Sequence, residues 1–81
     1  MAETTKHTTE MTREELANYL RGVAEEFEHD DRTTVNVGNK RVELNPASTV
    51  DCTVSVEEKS RLLGSDSETL TIVVDWKLGG D

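Results

Sequence analysis

The sequence has one cysteine, which excludes an internal disulfide framework. Cys52 stands in an alternating segment between Val50 and Val54, so it reads as a small inward-facing residue rather than a thiolate nucleophile with a basic neighbour. Aromatic residues are nearly absent: one Trp, one Tyr and one Phe make 4% of the chain, and any core must be lean. Basic residues are also few. Nine of them face 17 acidic ones, and a net charge of -8 repels phosphate backbones and anionic lipid, which argues against nucleic acid or a membrane as partner. No apolar run approaches the length of a bilayer span. The opening Met1-Ala2-Glu3-Thr4-Thr5-Lys6-His7 lacks the apolar stretch of a signal peptide, so a cytoplasmic protein is expected.

What is present points to a small folded protein. With 81 residues the chain has room for one domain with a thin stability margin. Hydrophobic residues are only 33%, yet they fall in periodic stretches rather than scattered positions. The acidic excess, with Lys6, Lys40, Lys59 and Lys77 as the only lysines, suits a protein working in very high salt. There, charge is screened over about 3 Å at about 1 M salt, and self-repulsion largely disappears.

Residues 1–11 are polar and threonine-rich, a tail or short edge strand. Thr12-Arg13-Glu14-Glu15-Leu16 then opens a helix, with Thr12 placed to cap the amide of Glu15 and the Glu15 carboxylate to return to Thr12. Leu16, Leu20, Val23 and Phe27 form one apolar stripe at helical spacing, and Gly22 projects away from it. His29-Asp30-Asp31 closes the helix. Gly38-Asn39 predicts a two-residue hairpin that pairs Val37 with Lys40, Val35 with Val42 and Thr33 with Leu44. Pro46 stops the second strand. Val50-Asp51-Cys52-Thr53-Val54-Ser55-Val56-Glu57 and Leu70-Thr71-Ile72-Val73-Val74-Asp75-Trp76 both alternate. Pairing them antiparallel about Leu63 matches Val50 to Trp76, Cys52 to Val74, Val54 to Ile72 and Val56 to Leu70. That register turns every large apolar residue of both strands inward except Val73.

The helix opening Thr12-Arg13-Glu14-Glu15-Leu16-Ala17, the proline before the third strand and the amphipathic strand closing on Asp75-Trp76 together resemble the amphi-Trp domain family, over roughly residues 11–76. The resemblance implies a small protein of a kind frequent in halophilic archaea, without an established activity, and it transfers no site residue. Gly22 within the helix and the tail Lys77-Leu78-Gly79-Gly80-Asp81 depart from the family pattern.

No set of His, Cys, Ser, Asp and Glu residues assembles a recognisable catalytic or metal site, so no enzyme activity, cofactor or metal is expected. His29, Asp30 and Asp31 carry metal-ligand chemistry, but three adjacent residues seldom converge on one ion, and a His at a helix C-terminus is explained by the terminal carbonyls. His7 lies in the tail without context. Glu57 and Glu58 point to opposite faces of a strand and cannot form a simple acid and base pair. Tyr19 and Trp76 read as core, with a ligand pocket beneath Trp76 as the alternative. Leu62-Leu63 breaks the pattern, because adjacent leucines stand where a hairpin tip should meet water. They either fold back under the sheet, the simpler solution, or wait for a partner.

These readings predict an α+β protein: one N-terminal amphipathic helix on a four-stranded antiparallel sheet, with room for a short N-terminal strand. The domain covers residues 12–78, followed by a flexible tail at 79–81. The expected role is a small non-catalytic protein-interaction module, self-associating or binding a protein through a sheet edge or through Leu62 and Leu63. The alternatives are a small-molecule binder near Trp76, or a ubiquitin-like modifier using Gly79-Gly80, although that fold places a hairpin before its helix.

Overall fold

The structure, a computed structural model, describes residues 2–29 and 31–79. One helix and four strands follow in order: α1 (Arg13–Phe27), β1 (Thr33–Val37), β2 (Lys40–Leu44), β3 (Asp51–Lys59) and β4 (Ser67–Asp75). Residues 2–12 form neither helix nor strand. The α+β class expected from the sequence holds. The strands pair two by two, β1 with β2 and β3 with β4, rather than in the single four-stranded sheet read from the sequence. Alternation and a turn fix each hairpin locally, whereas joining two hairpins needs long-range pairing that neither pattern encodes. The chain divides into two compact units, residues 1–46 and 47–81.

In the first unit the helix starts as its sequence dictates. The Glu15 amide donates to Thr12 Oγ1 at 3.0 Å and the Thr12 amide to Glu15 Oε1 at 2.8 Å, so two of the amides left open at a helix start are satisfied reciprocally. At the other end the chain tightens: the Glu28 amide donates to the Glu25 carbonyl and the His29 amide to the Glu26 carbonyl, three-residue bonds that close the last turn. The stripe expected to be buried is only half covered, with Leu16, Leu20 and Phe27 all exposed by a third or more.

The β1–β2 register is the expected one, Thr33 opposite Leu44, Val35 opposite Val42 and Val37 opposite Lys40. Gly38 has φ 61° while Asn39 keeps a negative φ, the combination of a tight hairpin turn with glycine first. A Cβ at Gly38 would also lie 2.8 Å from Cγ and Nδ1 of His7, so the imidazole rests against the turn, in a place the sequence left without context. Gly38→Ala is expected to cost about 1 to 2 kcal/mol from the left-handed backbone alone. Urea unfolding checks this, and an unchanged midpoint would refute it.

α1 lies along the outer side of β1. The Thr34 amide donates to Glu26 Oε1 at 2.9 Å, and Tyr19 Oη donates to the Asn36 carbonyl at 2.7 Å. Alternate residues of an antiparallel strand direct both backbone groups away from the partner, and Thr34 and Asn36 are two such residues. The helix therefore closes the free edge of β1 with side chains. Beside this seam Thr33 is fully buried, the only buried residue among those described, and its hydroxyl donates to the Glu26 carbonyl at 3.3 Å.

In the second unit Asp51 faces Asp75, Cys52 faces Val74, Val54 faces Ile72 and Val56 faces Leu70, which is the expected register, and the ladder ends one step short of Val50 and Trp76. Gly64 (φ 99°) bends the tip, and Asp66 Oδ1 accepts the Arg61 amide at 3.1 Å across it. Every residue of β3 and β4 is exposed.

Candidate interaction surface

The β3–β4 hairpin has two unlike faces, because residues directly opposite in an antiparallel pair share a side. Cys52, Val54, Val56, Leu70, Ile72 and Val74 form one apolar face. Val54, Val56, Leu70 and Ile72 are each more than half exposed, Ile72 by 52%. The other face carries Thr53, Ser55, Glu57, Thr69 and Thr71, with Val73 as its one apolar residue, 47% exposed. The alternation predicted from the sequence is present, but burial does not follow it. Cys52, expected in a core, is exposed for that reason. Periodicity selects the residues of a face; it does not supply what covers them.

The tip carries a second apolar patch, separated from that face by the Glu58–Glu68 pair. Leu62 is 103% exposed and Leu63 90%, so the leucines do not fold back beneath the sheet. A tucked leucine gains about 1.5 to 3 kcal/mol of burial, and neither gains it here. The bond from the Arg61 amide to Asp66 and the left-handed backbone at Gly64 shape this loop, and neither uses the leucine side chains.

Charge is distributed at the ends of the hairpin. Asp51 faces Asp75, and Glu58 faces Glu68, so a carboxylate opposes a carboxylate near each end of the ladder. Like charges directly opposite in a sheet repel. Lys59 lies 4.0 Å from Glu57, an exposed pair of little energetic weight. Between Glu68 and Asp75, residues 69–74 carry no charge.

The other residues singled out by their sequence are dispersed. Trp76 is half-buried rather than a core residue, and borders a recess with Ala47, Ser48, Thr49, Asp75 and Lys77. Tyr19 is exposed and spends its hydroxyl on the β1 edge. A second recess lies between the N-terminal segment and β1, where Met11 and Leu16, the two residues flanking the helix cap, join His7, Tyr19 and Val37. His29 and Asp31 join no metal-ligating cluster among the described residues, and Asp30 lies outside them. Gly79 has φ 72°, while Gly80 and Asp81, the rest of the diglycine ending, also lie outside the described residues. Glu26 was missed by sequence reasoning altogether. It sits outside the apolar stripe, and nothing in helical periodicity marks a carboxylate that will receive a strand amide.

The amphipathic β4 leading into Trp76 is the feature that the family comparison decides. The model of the Amphi-Trp domain matches residues 1–81, the whole chain. The protein belongs to the Amphi-Trp family. No protein of curated function and no solved structure matches it. Among the described residues no helix is long and apolar enough to cross a membrane.

Proposed function

We propose that this chain is a small non-catalytic protein-interaction module adapted to high salt, with the apolar face of β3–β4 and the Leu62-Leu63 tip as its contact surface. The observation that carries the reading is the exposed apolar row of Val54, Val56, Leu70 and Ile72, bounded towards the tip by the Glu58–Glu68 pair, with Leu62 and Leu63 exposed beyond it, since larger exposed patches with a polar rim mark contact sites. A net charge of -8 favours a protein partner over nucleic acid. The lone free cysteine suits a reducing compartment such as the cytoplasm.

A small-molecule site at Trp76 has weaker support. Ligand sites are mostly apolar with a few placed polar groups, whereas the recess there sets one aromatic among Ser48, Thr49, Asp51, Asp75 and Lys77. A modifier role would require Gly79-Gly80 to be processed.

The test is the double substitution Leu62→Ser, Leu63→Ser. Both side chains are solvent-exposed, so unfolding should change by less than about 0.5 kcal/mol. Recovery of partners on the tagged chain from its native host should fall at least about tenfold. Unchanged recovery would remove the tip from the contact surface, and lost stability would return the leucines to a structural role.

A further inference from the structure

Building on the interaction-module reading, we infer that the partner of the second unit is another copy of this chain: two hairpins join edge to edge through β4, antiparallel about a two-fold axis at Ile72, into a four-stranded sheet ordered β3-β4-β4-β3.

The need comes from strand number. A two-stranded hairpin is marginal in water by itself, and three or more strands with an apolar face are far more stable. β1 has its outer edge closed by Tyr19 and Glu26, whereas β3 and β4 are the two edges of their own sheet and all their residues are exposed. A second copy supplies a strand of the same length, Ser67–Asp75.

Charge selects the edge. Charged side chains are a standard means by which sheets block edge pairing. β3 carries Asp51, Glu57, Glu58 and Lys59; β4 confines its charges to Glu68 and Asp75, with residues 69–74 uncharged between them. Val73 supports the same edge. It is the one apolar residue on the solvent face of the hairpin, and it lies on β4.

Register follows from the same residues. With the axis at Ile72, Ile72 meets its own copy, Leu70 meets Val74 of the second copy, and Val73 meets Thr71 of the second copy. Opposed residues share a face, so the two apolar rows become one, and the β-branched pair Val73–Thr71 suits cross-strand contact. No carboxylate opposes another in this register. An axis at Thr71 instead sets Glu68 against Val74 inside the apolar row.

Area sets the strength. About Ile72 the strands overlap over residues 69–75, an edge of roughly 23 Å at about 3.3 Å per residue, and with a sheet thickness of about 10 Å the pairing covers on the order of 500 Å² over both copies. That is below the roughly 1,200 Å² of a stable complex, so the dimer is weak and reversible. Each copy carries -8, so salt tightens it by screening their repulsion.

Sedimentation equilibrium of the full chain tests this at about 0.1 M and about 2 M potassium chloride. The mass should rise with concentration towards twice 9.0 kDa. The dissociation constant should be at least about tenfold lower at high salt. Val73→Lys should keep the chain monomeric with its circular dichroism intact, while Glu57→Lys on β3 should leave association unchanged. A mixed isotope-labelled sample of the unaltered chain gives a readout independent of either variant. Methyls of Leu70 and Val74 are about 13 Å apart within one strand, so a nuclear Overhauser contact between them reports the pairing across the axis. A chain monomeric throughout, association that survives Val73→Lys, or absence of that contact in the dimer would each overturn the proposal. If the chain is monomeric but the native-host partner is still lost with Leu62→Ser, Leu63→Ser, the second copy is excluded and the interaction-module reading stands. If that partner is also absent, both fall.

Discussion

Glu26→Ala is expected to release the end of α1 from β1 and to cost about 1.5 to 3 kcal/mol, the range for a hydrogen bond to a charged group. The carboxylate accepts the Thr34 amide at 2.9 Å beside fully buried Thr33, where water cannot readily replace it. Total stability of a small protein is only about 5 to 15 kcal/mol, so the loss is large. Glu26→Gln keeps an acceptor but not the charge, and should lose about half as much. Tyr19→Phe, which removes the bond to the Asn36 carbonyl at the same edge, should cost about 0.5 to 1.5 kcal/mol. By contrast Glu43→Gln breaks only the exposed pair with Arg32 at 3.4 Å and should be nearly silent. Chemical denaturation gives the energies, and hydrogen exchange should show the Thr34 amide unprotected in Glu26→Ala. A cost below about 0.5 kcal/mol would mean that apolar contact, not the carboxylate, holds the helix to the strand.

The contrast between Glu26 and Val54 explains how far the sequence could be read. Strand pairing is set by a period of two and by where the chain turns, so Gly38-Asn39 and the symmetry about Leu63 yielded both registers residue by residue. The helix cap was equally legible, because both bonds of the Thr12–Glu15 box lie within four residues. Burial was not. Val54, Leu70 and Ile72 share a face as expected and are still more than half exposed, since alternation says nothing of the opposing layer. The β1 edge was illegible for a related reason: Glu26 and Tyr19 meet Thr34 and Asn36 only once the helix lies along the strand. Of the contact surface, Leu62 and Leu63 were recognisable from sequence as an exception to the inside-outside rule. The hairpin face was assigned to a core, because the same pattern serves a core and a contact surface.

The second large effect concerns salt, and the register locates its source. Asp51 faces Asp75 and Glu58 faces Glu68, so two pairs of carboxylates meet near the ends of one hairpin. Opposed Cβ atoms in a sheet lie about 5 Å apart, and unit charges at that separation in water repel by roughly 0.8 kcal/mol. This is within the range for opposed like charges in a sheet, and together they should weaken the second unit by about 1 to 2 kcal/mol in dilute buffer. At about 2 M potassium chloride the screening length falls below 3 Å and most of that penalty vanishes. The double substitution Glu68→Gln, Asp75→Asn should therefore stabilise the chain at about 0.05 M salt, raising the unfolding midpoint by roughly 4 to 8 °C per kcal/mol, and do almost nothing at about 2 M. Thermal unfolding of both chains across the salt series should give curves that converge at high salt, with the unaltered chain gaining more. Equal stabilisation at both ends of the series would make the effect one of strand propensity rather than charge. No stabilisation at either end would leave the net charge of -8 as the only source of any salt dependence.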